Sequence, residues 1–146
     1  MERNQHSLNR GFTLVELVVV IAILGLLASI AVPRFLDAQA QARGSKILAD
    51  LNTCEAAINL YYMRNGHFPT DSDALDEEQL VGNYLAAWPM PPVGRALINA
   101  KEIIVEQGAH YIYVGQAETE LTTRVGRVKV EVAGGAQTVD ELLAAD

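Results

Sequence analysis

Polar chemistry near the start of the chain is concentrated at Thr13 and Glu16, within GFTLVELVVVIAILGLLASIAVPRF (residues 11–35). Spacing gives the Glu16 carboxylate two uses. As Thr13-x-x-Glu16 it forms a capping box, in which hydroxyl and carboxylate satisfy amide donors left open at a helix start. The positive end of the helix dipole favours a negative charge there as well. As an ionisable group within an apolar run, it calls for a partner of opposite charge. Phe12 and Glu16, four residues apart, share one helical face. Cleavage after Gly11 would create that partner, the α-amino group of Phe12, in the same chain or in a neighbouring subunit. Both uses stand at this point.

The element that must carry this pair is a membrane helix. From Leu17 to Val32 there is no charge and a single hydroxyl, Ser29. Residues 17–33 span about 26 Å as a helix, short of a hydrocarbon core of about 30 Å. Starting at Phe12 lengthens this to about 33 Å, which carries Glu16 about 6 Å inside one boundary. An acid is tolerated there because its insertion penalty falls toward the interface. The remainder of the chain is too small to wrap so long an apolar helix as a soluble core.

The residues before the run, MERNQHSLNRG, form a short polar leader. Gly11 precedes the hydrophobic region, whereas a secretory signal places its small cleavage residue after it. Cutting at Gly11 therefore keeps the helix. Charge bias does not orient the span, since Arg3 and Arg10 precede it and Arg34, Arg43 and Lys46 follow it.

The combination of Gly-Phe-Thr-Leu-x-Glu, a hydrophobic stretch, an internal glycine and a terminal proline over residues 10–35 resembles the prepilin-type segment of type IV pilins, competence pilins and type II secretion pseudopilins. The resemblance implies that residues 1–11 are a leader removed by a prepilin peptidase between Gly11 and Phe12. It implies N-methylation of Phe12, and neutralisation of an adjacent subunit's Phe12 amine by Glu16 during assembly. The implied partners are that peptidase, identical or related pilin subunits, an inner-membrane assembly platform and membrane lipid. The implied place is the cytoplasmic membrane, crossed once, with the head outside the cytoplasm and the chain in a filament after assembly. Many Gram-negative major pilins carry a C-terminal cysteine pair, whereas this chain has only Cys54. Pseudopilins, competence pilins and cysteine-poor pilins are left open.

After the span of residues 12–33 the helix is expected to continue through 34–66. Pro33 deprives the Ser29 carbonyl of its helical partner and Gly25 adds flexibility, so a kink or loosened stretch is expected between them. Ile47, Leu51, Cys54, Ile58 and Tyr61 recur at helical spacing and mark one buried face. On that face Cys54 reads as a small buried hydrophobe, and Tyr61 and Tyr62 as core and rim aromatics. Asn65-Gly66 with Pro69 ends the helix. YYMRNGHFPT is itself similar to the pattern found where pilin-like helices end.

Residues 67–146 read as a small α+β head, with an antiparallel sheet packed on the second half of the long helix. DSDALDEEQL is expected as a short helix, and GNYLAAWPMPPVG, with three prolines, as a loop anchored on the long helix by Trp88. Strands are expected at 102–106, 110–115 and 127–132, the first two joined as a hairpin through Gln107-Gly108-Ala109. TVDELLAAD closes the chain as a short helix.

Catalytic chemistry finds no foothold in this sequence. His6, His67 and His110 are scattered, and no phosphate loop or nucleophile motif appears. Asp71, Asp73, Asp76, Glu77 and Glu78 lack EF-hand spacing and read as a solvated acidic helix start, so no metal or cofactor is expected. A net charge of −7 argues against nucleic-acid binding by the bulk domain. The expected function is that of a structural filament subunit, not an enzyme. The competing reading is a membrane-tethered, minor pilin-like binding module, for example in DNA uptake, whose only basic strip would be Arg124, Arg127 and Lys129.

Overall fold

The computed structural model of the chain describes residues 11–69, 80–114 and 126–144. A helix, α1 (Leu14–Asn65), runs through two compact units that divide between Leu36 and Asp37.

In the first unit every described residue from Gly11 to Leu36 is exposed. This part of α1 is long and apolar enough to cross a membrane. Ser29 turns its hydroxyl back onto the Leu26 carbonyl at 2.7 Å. The helix continues through Gly25 and Pro33.

The second unit is built on the buried stripe of α1. Ile47, Leu51, Cys54 and Ile58 are fully buried, as their spacing requires, Tyr61 at the end of the stripe is partly buried against the core, and Ala40, Gly44 and Ala57 extend the same face. Burial raises the Cys54 thiol to about 12, which makes it a packing group rather than a nucleophile. The helix stops where the sequence says it should. Gly66 adopts a φ of 76° and donates its amide to the Tyr62 carbonyl, while the Asn65 side chain caps the Tyr61 carbonyl. Tyr62 stacks on Phe68 with ring centroids 4.5 Å apart, and Tyr61 meets Tyr84 edge-on at 5.8 Å.

Five strands follow in this unit, of which the first four contribute to the core with the stripe: β1 (Gly94–Ile98), β2 (Lys101–Val105), β3 (Tyr111–Val114), β4 (Arg127–Val132) and β5 (Gly135–Thr138). They form two antiparallel sheets, β1-β2 and β3-β4-β5. Ala96, Ile98, Ile103, Val105, Tyr111, Tyr113, Val128 and Val130 supply their core-facing side chains. A short helix, α2 (Val139–Leu143), follows β5 behind a capping box formed by Thr138 and Glu141, and buries Val139 and Leu142. The α+β architecture is thus as expected, with strand 127–132 and the closing helix in place.

The expected hairpin between 102–106 and 110–115 does not form. β2 pairs instead with β1, in a register that places Ile98 opposite Lys101 across the two-residue turn Asn99-Ala100. Both turn residues have positive φ, 49° and 65°, the primed-turn geometry that matches the twist of paired strands. The other edge of β2 is also engaged, since the Ile104 carbonyl accepts the Ala133 amide at 2.8 Å. Gln107-Gly108-Ala109 therefore carries the chain from one sheet to the other, closed by Ala109 donating to the Glu106 carbonyl. β3 pairs with β4, with Tyr111 opposite Val130. Trp88 anchors its loop on β3 by donating its indole N–H to the Tyr111 carbonyl at 3.2 Å. The expected helix within DSDALDEEQL and the acidic cluster Asp71–Glu78 lie outside the described residues.

Candidate functional site

Thr13 and Glu16 form the capping box that their spacing requires. The Thr13 amide and hydroxyl donate to Glu16 Oε2 at 2.8 and 2.9 Å, and the Glu16 amide donates to the Thr13 hydroxyl at 3.2 Å. One carboxylate oxygen thus closes the helix start, while Oε1 makes no hydrogen bond among the described residues. Phe12 lies just outside the helix and is 90% exposed. Gly11, Phe12 and Glu16 are consequently brought together within about one helical turn. Gly25 and Pro33 stand further along the same apolar face-all-round helix, away from this cluster.

This constellation brings together few kinds of chemical group. It offers one carboxylate, one aromatic side chain and a backbone junction in an exposed position, next to an apolar helix. No group of three or more His, Cys, Asp or Glu side chains able to hold a metal occurs among the described residues.

A family model described as the prokaryotic N-terminal methylation motif matches residues 6–32. The chain carries a prepilin-type N-terminal segment. Relatives point the same way. The chain is 42% identical over 66 residues to the type II secretion system core protein G of Klebsiella pneumoniae, covering 45% of this chain and 47% of that protein. It is 40% identical over 67 residues to the protein of the same name in Escherichia coli strain K12, 46% of each chain. It is 39% identical over 67 residues to the type IV major pilin protein PilE of Neisseria gonorrhoeae, 46% of this chain and 40% of that one. The chain spans about half the length of the curated relatives it matches. No solved structure matches it.

The prepilin-type segment fits membrane anchoring, because the matched residues contain most of the exposed apolar helix. The head behaves differently from the basic strip considered as a nucleic-acid surface. Arg127 is held between two carboxylates, Glu55 at 3.2 Å from its Nε and Asp140 at 2.6 Å from its Nη2, and its side chain is only 26% exposed. Its charge is therefore spent within the fold. Arg124 lies outside the described residues. Burial pushes the Glu55 carboxyl up, against the opposing pull of the Val128 amide and Arg127.

Two positioning residues escaped the sequence reading. Gly44 reads in sequence as a flaw in a run of good helix formers, yet a Cβ there would lie 2.0 Å from the Leu97 carbonyl oxygen. Arg95 of β1 reaches Asp37 of α1 at 2.9 Å and Glu102 of β2 at 2.8 Å. Neither has a local signal. The first needs knowledge of what packs on the helix, and the second joins residues 58 positions apart.

Proposed function

We propose that the chain is a structural prepilin or pseudopilin subunit that is trimmed between Gly11 and Phe12, N-methylated on Phe12 and polymerised through its apolar helix. The observation that carries this reading is the match of the methylation motif to residues 6–32, the stretch that ends in an exposed apolar helix capped by Glu16. In this reading residues 1–11 are the leader and 12–33 the membrane and assembly helix. Residues 34–66 continue that helix, and 67–146 complete the head outside the cytoplasm.

The capping geometry supports a reading in which Glu16 has both uses. Oε2 is committed to Thr13 and keeps the helix start closed in the apolar medium. Oε1 remains to accept from the ammonium group that cleavage creates at the Phe12 of an adjacent subunit. Two opposite charges attract more strongly in a low-dielectric surrounding than in water, so the pairing favours insertion of one subunit beside another in a fixed axial register. Gly25 and Pro33 supply the place where the helix loosens or bends to accommodate that packing. The assembly partners are copies of this chain or related pilins, the enzyme that trims it is a prepilin peptidase, and an inner-membrane platform drives insertion.

Processing and assembly separate experimentally. Gly11→Val places a bulky group at the cleavage position, so mass spectrometry of the membrane fraction should find the uncut chain. A trimmed and methylated Phe12 in that variant would overturn the cleavage assignment. Glu16→Val should be trimmed but recovered as less filament, and filament yields equal to wild type would remove Glu16 from assembly.

A further inference from the structure

The helix-to-sheet contacts of the second unit begin at a definite point. Among the described residues Ala40 is the first buried residue of α1, at 1% exposure. One turn before it, Asp37 is joined to β1 by Arg95 Nη1 at 2.9 Å. Arg95 is itself held in place twice. Its Nε donates to Glu102 on the neighbouring strand at 2.8 Å, and its carbonyl accepts from Arg43 Nη1 at 3.3 Å. Both acids sustain the guanidinium's charge, with the Asp37 hydrogen bond the larger influence.

The helix just before this junction is weak by construction. Pro33 has no amide to give the Ser29 carbonyl, and the hydroxyl of Ser29 bonds one turn back, to Leu26, where it does not replace the missing donor. Residues 11–36 have no buried side chain among them. Opening that starts at Pro33 would run toward the head until something holds the chain.

We infer that Arg95 is a stop, advancing the held part of α1 from Ala40 to Asp37 so that helix opening from Pro33 ends there. A planar guanidinium clamped by Glu102 presents a preorganised donor to Asp37, so the pair loses less freedom on forming than two loose side chains would. The device belongs to the single chain and does not depend on polymerisation.

Hydrogen exchange on the full chain in detergent micelles tests this. In wild type the amides of residues 41–43, which donate to the carbonyls of residues 37–39, should exchange slowly. Arg95→Gln should speed them about three- to fivefold, the size of effect an exposed but oriented ion pair supports. Amides of residues 47–58, under the buried stripe, should keep their rates. Asp37→Asn should give the same acceleration, and the double variant should add nothing further, because both changes remove one interaction. Unchanged rates at 41–43, an equal rise at 47–58, or additive effects in the double variant would each overturn the proposal.

Discussion

Gly44 of α1 lies against the backbone of Leu97 in β1, so closely that a methyl group at position 44 would meet the Leu97 oxygen at 2.0 Å and its carbonyl carbon at 2.7 Å. In the ladder alternation set by the Ile98–Lys101 pair, Arg95 and Leu97 turn their backbone groups away from β2. Arg43 donates to the first of these carbonyls and Gly44 admits the second. Consecutive helix residues thus receive the outer edge of the strand.

Gly44→Ala reverses the usual sign of a glycine replacement in a helix. Propensity alone favours alanine by about 1 kcal/mol, but the clash is with backbone, which cannot rotate aside. A net loss of about 2 kcal/mol is expected from the overpacking. Urea unfolding of the detergent-solubilised chain, followed by fluorescence of Trp88, the chain's single tryptophan, measures it. Stability equal to or above wild type would show that β1 does not bear on Gly44.

Ala100→Gly should move stability the other way. Ala100 holds a φ of 65° in the β1-β2 turn, where a Cβ is disfavoured and Asn-Gly is the sequence that the turn type prefers. Relief of that strain, less the entropy a glycine adds to the unfolded chain, is expected to raise stability by up to about 1 kcal/mol. The same unfolding experiment checks it, and a loss would contradict the turn geometry.

Glu55 gives the head a pH signature. Its carboxyl binds protons more tightly in the fold than in the unfolded chain, chiefly because burial disfavours its charge. Above the ordinary value of 4.5 the folded state therefore holds more protons than the unfolded state, and this residue's contribution to stability falls as pH rises through that window. Glu55→Gln removes the titration. The stability of wild type relative to Glu55→Gln should decline from pH 4 toward neutrality, and a difference that is flat or rises with pH would oppose the assignment.

How much was legible in the sequence depended on how local each signal is. The Thr13–Glu16 box, the stripe from Ile47 to Ile58 and the stop at Asn65-Gly66 are set by neighbours within a turn or two, and all three stand in the structure. Strand pairing is not local in that sense. Gln107-Gly108-Ala109 looked like a hairpin turn, while the true one, Asn99-Ala100, has alanine where the favoured glycine would have announced it. β5, Gly135–Thr138, has little β-branched or aromatic character and is held by pairing with β4. The fitting of Gly44 under Leu97 is a tertiary fact, and no periodicity encodes it.

The seat that α1 provides for β1 has a further meaning under the function proposed above, in which copies of the chain stand side by side. An unpaired strand border is a template on which the strand of another molecule can grow. Here Arg43 donates to one outward carbonyl of that border, and the helix backbone at Gly44 packs closely over the other. In the filament proposed above, the β1 border would be closed to strand addition between copies, which leaves their contacts to other surfaces such as the apolar helix.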